Sequence, residues 1–298
     1  MRPKQKYRRI EPSARDEGAL RAVPTLGAVG VRPAKARGQN FLVQAAVANR
    51  IVDAARLGEG DIVVEIGPGL GILSERIAAH RVARIALVEL EHRLAARLEE
   101  RFSGDRRVRV VAGDFLKIDL RALFDRAPIK IVSNLPFNSA AAILSRLCDH
   151  SHAISRMVLM FQREVAERIR ARAGESAYGA LSVFTSLYFE IESHFRVAAG
   201  NFHPRPKVDA EVLVFQPHAR FARDDERRVL STIRAAFSAP RKTLRNAISH
   251  ALHLNANTID ESLRRASIDP GVRAETLSAA DFIRIAHELR AVMAVADA

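Results

Sequence analysis

The sequence predicts an α/β fold: a mostly parallel, doubly wound sheet followed by a small α-helical domain. Short apolar runs alternate with helical stretches as far as Pro217, and strand–helix repetition of this kind builds a parallel sheet covered on both faces. A glycine-rich turn, Gly67-Pro68-Gly69-Leu70-Gly71, joins the first buried run to a helix. Beyond Pro217 only helical periodicity remains.

Taken in order, Val47, Ile51, Val52 and Ala55 give the first helical pattern. Ile62 to Ile66 is a buried strand, and Ile72 to Ala79 the helix after the glycine turn. Ile85 to Val88 is a second strand, ending at Glu89, with a helix over His92 to Arg101. Val108 to Val111, Ile129 to Val132 and Met157 to Phe161 supply three more strands, with a helix over Ala140 to Leu147. Phe184 to Ile191 and Glu211 to Phe215 are expected to add an antiparallel hairpin at the sheet edge. Four helices follow, over Asp225–Phe237, Thr243–Leu252, Ile259–Ala266 and Ala279–Val295. The expected division is a basic tail over residues 1–30, disordered until bound, a catalytic domain over 31–217 and a helical domain over 218–298.

Composition narrows the function classes. Among 298 residues, 48% are hydrophobic, enough for a full core, and no run is long enough to span a membrane. The N-terminus carries basic residues without an apolar stretch behind them, so no secretory signal is expected. One cysteine, Cys148, excludes a disulfide framework and a multi-cysteine zinc site, and fits a reducing cytoplasm. No metal is expected. A net charge of +13 points to a polyanionic partner, RNA or DNA.

The chemistry lies at the carboxyl ends of the strands. Glycines after the first strand let a ligand approach the backbone, but their spacing is not that of a dinucleotide fingerprint. Glu89 ends the second strand, where a carboxylate can take both hydroxyls of a ribose. Asp114 follows the third, placed to meet an adenine edge. Ser133-Asn134-Leu135-Pro136-Phe137-Asn138 follows the fourth. There the Asn134 amide oxygen and the Pro136 carbonyl can accept hydrogen bonds from an exocyclic amine, and Phe137 can stack on the ring that carries it. These four parts in order describe an S-adenosylmethionine site beside a site for an adenine amine.

The chain resembles the ribosomal RNA adenine N6,N6-dimethyltransferase family, closest to its bacterial 16S branch. The residues carrying the resemblance are Gly38-Gln39-Asn40-Phe41-Leu42, Glu65-Ile66-Gly67-Pro68-Gly69, Gly113-Asp114 and Asn134-Leu135-Pro136-Phe137-Asn138. Gln162-Arg163-Glu164-Val165, Tyr178 to Val183, Phe202 to Val208 and Arg241 to Asn246 extend it. The resemblance implies a class I, Rossmann-like methyltransferase domain using S-adenosylmethionine, held by Asn40, Leu42, Gly67, Glu89, Asp114 and Asn134. It implies Asn134, Leu135, Pro136 and Phe137 as the catalytic motif. Phe202 is expected on the opposite face of the target base, and Arg241 and Lys242 on RNA phosphates. The implied substrate is a pair of adjacent adenosines in the hairpin near the 3′ end of 16S rRNA, presented by an assembling 30S subunit; a monomer is the default expectation.

Two departures stand out. Val43-Gln44 replaces the polar residue and Asp common after Asn-Phe-Leu, which puts a helix cap in doubt. Arg205 interrupts a usual run of prolines. Two other readings remain: a large-subunit rRNA adenine methyltransferase, against which Tyr178 to Val183 and Arg241 to Asn246 argue, and a non-catalytic assembly or transcription factor on this fold. Cys148 is expected to be a buried structural thiol.

Overall fold

The computed structural model describes residues 39–120, 123, 128–218, 225–290 and 292; the basic tail lies outside them. A two-residue strand, β1 (Phe41–Leu42), leads into α1 (Ala45–Ala54). Then β2 (Ile62–Ile66), α2 (Ile72–Ala78), β3 (Arg84–Glu89), α3 (His92–Arg101) and β4 (Val108–Ala112) alternate. β5 (Ile129–Asn134), α4 (Ala140–Asp149), β6 (Ile154–Gln162), α5 (Arg163–Arg170) and α6 (Ala180–Tyr188) continue the pattern. β7 (Phe189–Val197), the short β8 (Phe202–His203) and β9 (Ala210–Pro217) complete the strands. The helices α7 (Glu226–Phe237), α8 (Leu244–Leu252), α9 (Ala256–Arg265) and α10 (Ala279–Glu288) follow.

Seven strands form one sheet in the order β4-β3-β2-β5-β6-β9-β7. β2, β3, β4, β5 and β6 run parallel, while β9 is antiparallel to both of its neighbours. The chain works outward from β2 to β4, then returns to the far side of β2 with β5. The order therefore reverses between β2 and β5, and the crevice at their carboxyl ends is where such sheets bind ligands. The central strands read as unbroken apolar runs because both faces are covered, and Met157 to Phe161 are all fully buried. β4 is an edge strand and is only half-buried.

The expected edge hairpin is corrected in one respect. Phe184 to Tyr188 belong to the helix α6, and the strand begins only at Phe189. The apolar residues of that stretch serve a helix face, with Val183 and Leu187 four apart on the core. The cap doubted at Val43-Gln44 is indeed missing: Gln44 stands at the α1 N-cap without a side-chain hydrogen bond.

Helices α1, α2 and α3 pack on one face of the sheet through Ile51, Val52, Leu73, Ile77 and Leu98. α4, α5 and α6 pack on the other through Leu144, Leu147, Ile169 and Leu187. The cluster on this second face runs on without interruption into the C-terminal helices, taking in Ile233, Ile248, Leu263, Phe282 and Ile285. Hydrogen bonds tie the same junction, Tyr178 Oη donating to the Leu277 carbonyl at 2.6 Å and Gly174 N–H to the Glu275 carbonyl at 2.9 Å. Cys148 is fully buried in this cluster, and burial holds its thiol well above the usual range. No helix among the described residues is long and apolar enough to cross a membrane.

Phe282 is fully buried and meets the Phe237 ring at 5.8 Å between centroids. Phe282→Ala is expected to cost about 3–5 kcal/mol by urea denaturation. Because the core is shared, unfolding followed at the sheet and at the helices should still show one coincident transition.

Candidate active site

The pocket opens where the strand order reverses, lined by Asn40 to Leu42, Gly67 to Leu70, Glu89 and Asn134 to Phe137. Each comes from a strand end or the turn after it. Pairing of Glu65 with Leu87 and of Val64 with Ile131 sets the ends of β2, β3 and β5 side by side.

Glu89 organises the glycine turn. It is 4% exposed, and its Oε2 accepts the Gly69 N–H at 2.9 Å while Oε1 accepts the Glu91 N–H at 2.9 Å. Gly69 has φ +57°, and a Cβ there would fall 2.8 Å from the Phe41 ring, so a side chain is excluded on two counts. At Gly67 (φ +67°) a Cβ would sit 3.4 Å from the Pro136 ring. The glycine turn and the Asn-Leu-Pro-Phe segment thus touch each other across the pocket floor.

Asn134 ends β5, and its Nδ2 donates to the Asn40 carbonyl at 3.1 Å. That bond fixes which face of the amide is presented. Its Oδ1 is buried without a hydrogen-bond partner. A buried acceptor left open costs about 1–3 kcal/mol, and a bound donor is the simplest reason to retain one. Beside it, the Pro136 carbonyl, the other expected acceptor, is already engaged within the chain. It accepts the Ser139 N–H at 3.1 Å and the Ser139 Oγ–H at 3.4 Å, because the chain is already turning into α4.

Other expected residues fall differently. Phe137 lines the pocket, but Phe202 does not. Phe202 is 3% exposed, held by the β1–β8 pairing of Leu42 with Phe202, and meets the Phe137 ring edge-on at 6.2 Å. It backs Phe137 and leaves no open face for a base. Asp114 lies beside Glu89, since Gly113 N–H donates to the Glu89 carbonyl at 2.8 Å, yet it is not in the pocket wall. Its Oδ1 caps the Leu116 N–H at 2.9 Å. Arg241 and Lys242 are exposed on the α7–α8 connection, away from the pocket wall. The first amides of α8 there are already used, Leu244 N–H by the Val272 carbonyl and Arg245 N–H by the Pro270 carbonyl. Any phosphate contact falls to the Arg241 and Lys242 side chains.

Glu65 was quoted in the glycine motif without a site role. It is 2% exposed, reaches the pocket wall, and accepts the Ser74 Oγ–H at 2.6 Å. Burial raises its pKa to about 8, a smaller opposing effect coming from Ser74. Burial also raises Glu89, against the two backbone donors. Two buried carboxyl groups at one pocket favour a ligand that brings positive charge, which would lower both pKa values. The missed signal was the acid at the penultimate position of β2, which an apolar run otherwise hides.

A carboxyl group whose folded pKa lies above its unfolded value stabilises below the unfolded value, and that stability is lost as pH rises through the folded value. Free protein should therefore lose, between about pH 4.5 and about pH 8, a contribution on the order of a few kcal/mol that Glu65→Gln does not lose. Thermal melting of the two proteins across this range is the measurement.

Residues 32–291 match the family described as Ribosomal RNA adenine dimethylase. Ribosomal RNA small subunit methyltransferase A of Geobacter metallireducens is 42% identical over 272 residues, covering 89% of this chain and 98% of that one. The protein of that name from Syntrophotalea carbinolica is 43% identical over 257 residues, covering 86% and 96%. Among solved structures, a dimethyladenosine transferase from Plasmodium falciparum superposes with TM-score 0.70 at 23% identity, over 84% of this chain and 98% of that one. The 23S rRNA methyltransferase ErmE superposes with TM-score 0.65 at 25% identity, over 84% and 100%. With its motifs at the strand ends where the sheet order reverses, and with the match running along nearly the whole chain, this protein belongs to the ribosomal RNA adenine dimethylase family of methyltransferases.

Proposed function

We propose that the chain dimethylates N6 of two adjacent adenosines in the hairpin near the 3′ end of 16S rRNA, within an assembling small subunit in the cytoplasm. The observation that carries the reading is the open Asn134 Oδ1 at the pocket. The identity to small-subunit methyltransferases favours this substrate over a large-subunit one.

The pocket fits S-adenosylmethionine, which carries a sulfonium and an ammonium and supplies an electrophilic methyl group when bound. Glu65 and Glu89 meet the charge requirement, and Gly67 and Gly69 let the ligand reach the backbone. Asn40 and Leu42 wall the pocket next to Asn134. Asp114, one strand further out than Glu89, would reach the adenine end only from the rim.

An adenine amino group is a poor nucleophile because its lone pair is delocalised into the ring. Asn134 Oδ1 would accept one N6 hydrogen and orient the nitrogen, while the Pro136 carbonyl already accepts the Ser139 N–H. Orientation of this kind replaces a strong base. After the first transfer one N–H remains, so a single side-chain acceptor serves the second. Phe137 would stack on the extruded base, its ring steadied from behind by Phe202. Arg241 and Lys242 would meet phosphates at a distance from the chemistry.

Asn134→Ala should abolish methyl transfer and spare RNA binding. Gly69→Ala should weaken S-adenosylmethionine binding about tenfold or more by calorimetry, as the strained φ and the Phe41 overlap distort the turn. The test of the reading as a whole is transfer from labelled S-adenosylmethionine to unmethylated 30S particles and to naked 23S rRNA, with nucleoside mass spectrometry of the products. Dimethyladenosine at adjacent positions near the 3′ end of 16S rRNA is expected; label confined to 23S rRNA would overturn it.

A further inference from the structure

A group of basic side chains lies on the α1 face of the sheet, running from the register of Asn134 at His194 toward the amino end of β6 at Arg156. Arg50 and Arg56 come from α1 and the residues after it, Arg156 from β6 and His194 from β7. Arg50 lays its guanidinium 3.8 Å from the centroid of the Phe195 ring, an arrangement that holds the cation in place and leaves its N–H edge free. Arg156 is anchored by its Nε, which donates to the Ala54 carbonyl at 2.8 Å. Arg56 is held at φ 51°, a left-handed conformation for a residue other than glycine, and Lys130 Nζ pins its carbonyl at 2.5 Å. At the edge strand a bulge between Ser193 and Phe195 breaks the register and turns His194 outward.

These cations act on one another. Burial lowers the pKa of His194 first, and then Arg50, Arg156 and Arg56 lower it further, against Glu192. Arg156 is lowered by burial and then by Arg56, again with Glu192 as the opposing charge. Glu192 opposes both shifts. Lys130, close by, is already paired with Asp61 at 2.7 Å. Like charges fixed together in this way are well suited to an anion, the acids beside them being Asp53 on α1 and Glu192 on β7.

We propose that Arg50, Arg56, Arg156 and His194 bind the phosphate backbone of the substrate RNA, along a track that runs down α1 from the pocket. This rests on the proposed function. The track has a defined length. Asn134 pairs with Met160 and Lys130 with Arg156, so the pocket and Arg156 differ by four residues of register, or roughly 13 Å along the strands. Phe195, by contrast, pairs through Val212 with Met160, which sets His194 and the ring under Arg50 level with Asn134 beyond β6 and β9. α1 spans a similar distance, about 15 Å for its ten residues, and begins just after the pocket residues Asn40 to Leu42. RNA with one base in the pocket would thereby place backbone beyond the target nucleotide against the cluster.

The test is the double variant R50E/R56E, with R56Q as a milder second variant, in the full chain. Thermal melting and S-adenosylmethionine affinity should be unchanged, since the substitutions relieve repulsion and lie outside the pocket. Affinity for deproteinised 16S rRNA and for 30S particles should fall at least tenfold for the double variant. The dependence of log affinity on log salt should become shallower by about two units, and by about one for R56Q. Unchanged affinity and salt slope, in a wild-type protein that does bind rRNA, would overturn the proposal. Weakened binding to particles with unchanged binding to deproteinised rRNA would give the cluster to a ribosomal protein and overturn it as well. Failure of the wild-type protein itself to bind or methylate any rRNA would defeat the proposed function, and this inference with it.

Discussion

The site depends on one amide. Asn134 spends its Nδ2 on the Asn40 carbonyl and keeps a buried Oδ1 without a donor. The arrangement needs several independent features to coincide. β5 must pair with β2 so that Asn134 emerges at the crevice, and the turn facing Pro136 must pass through φ +67° at Gly67, a conformation that favours glycine. The segment before α1 must return to offer its carbonyl, which the antiparallel pairing of β1 with β8 secures. Ser133 adds a lock from below, its Oγ donating to the Ile66 carbonyl across the same pair of strands. A rotation of the Asn134 amide would trade a satisfied donor for a clash of two acceptors, so the open oxygen is held by the fold rather than by chance.

The electrostatics of the pocket complement this. Glu89 gives one carboxylate oxygen to each of two backbone amides, so it shapes the turn before it meets any ligand. Glu65 sits one strand away, buried and with a raised pKa. Both acids lie in a low-dielectric wall, where an added cation interacts more strongly than it would in water. The free protein bears the desolvation of these groups, and a cationic methyl donor recovers part of it on binding.

Much of this was legible in the sequence. The parallel strands announce themselves as apolar runs because both faces are covered, and Glu89 and Asn134, which end two of those runs, reach the crevice, whereas Asp114 does not. What escaped reading has identifiable causes. Phe184 to Tyr188 is apolar and aromatic enough to pass for a strand, and only tertiary packing makes it the end of α6. β1 and β8 are too short to show a period, yet their pairing decides that Phe202 is buried behind Phe137. That the Pro136 carbonyl is already engaged was not legible, because a carbonyl's partner depends on how the next helix starts, here at Ser139. Glu65 was hidden by its place inside a buried strand.

The shared core beneath α6 and the C-terminal helices has a further meaning. A hinge between sheet and helices would have to open a dry, continuous hydrophobic layer joined by Tyr178 and Gly174. The separation between the pocket and Arg241-Lys242 is therefore a fixed length, like that between two jaws of a gauge. In the proposed reaction the protein loses little conformational freedom on binding, and the deformation falls on the RNA. Selection of a substrate then becomes a question of which RNA already holds its hairpin and its phosphates at that spacing, whatever the identity of the bases in between.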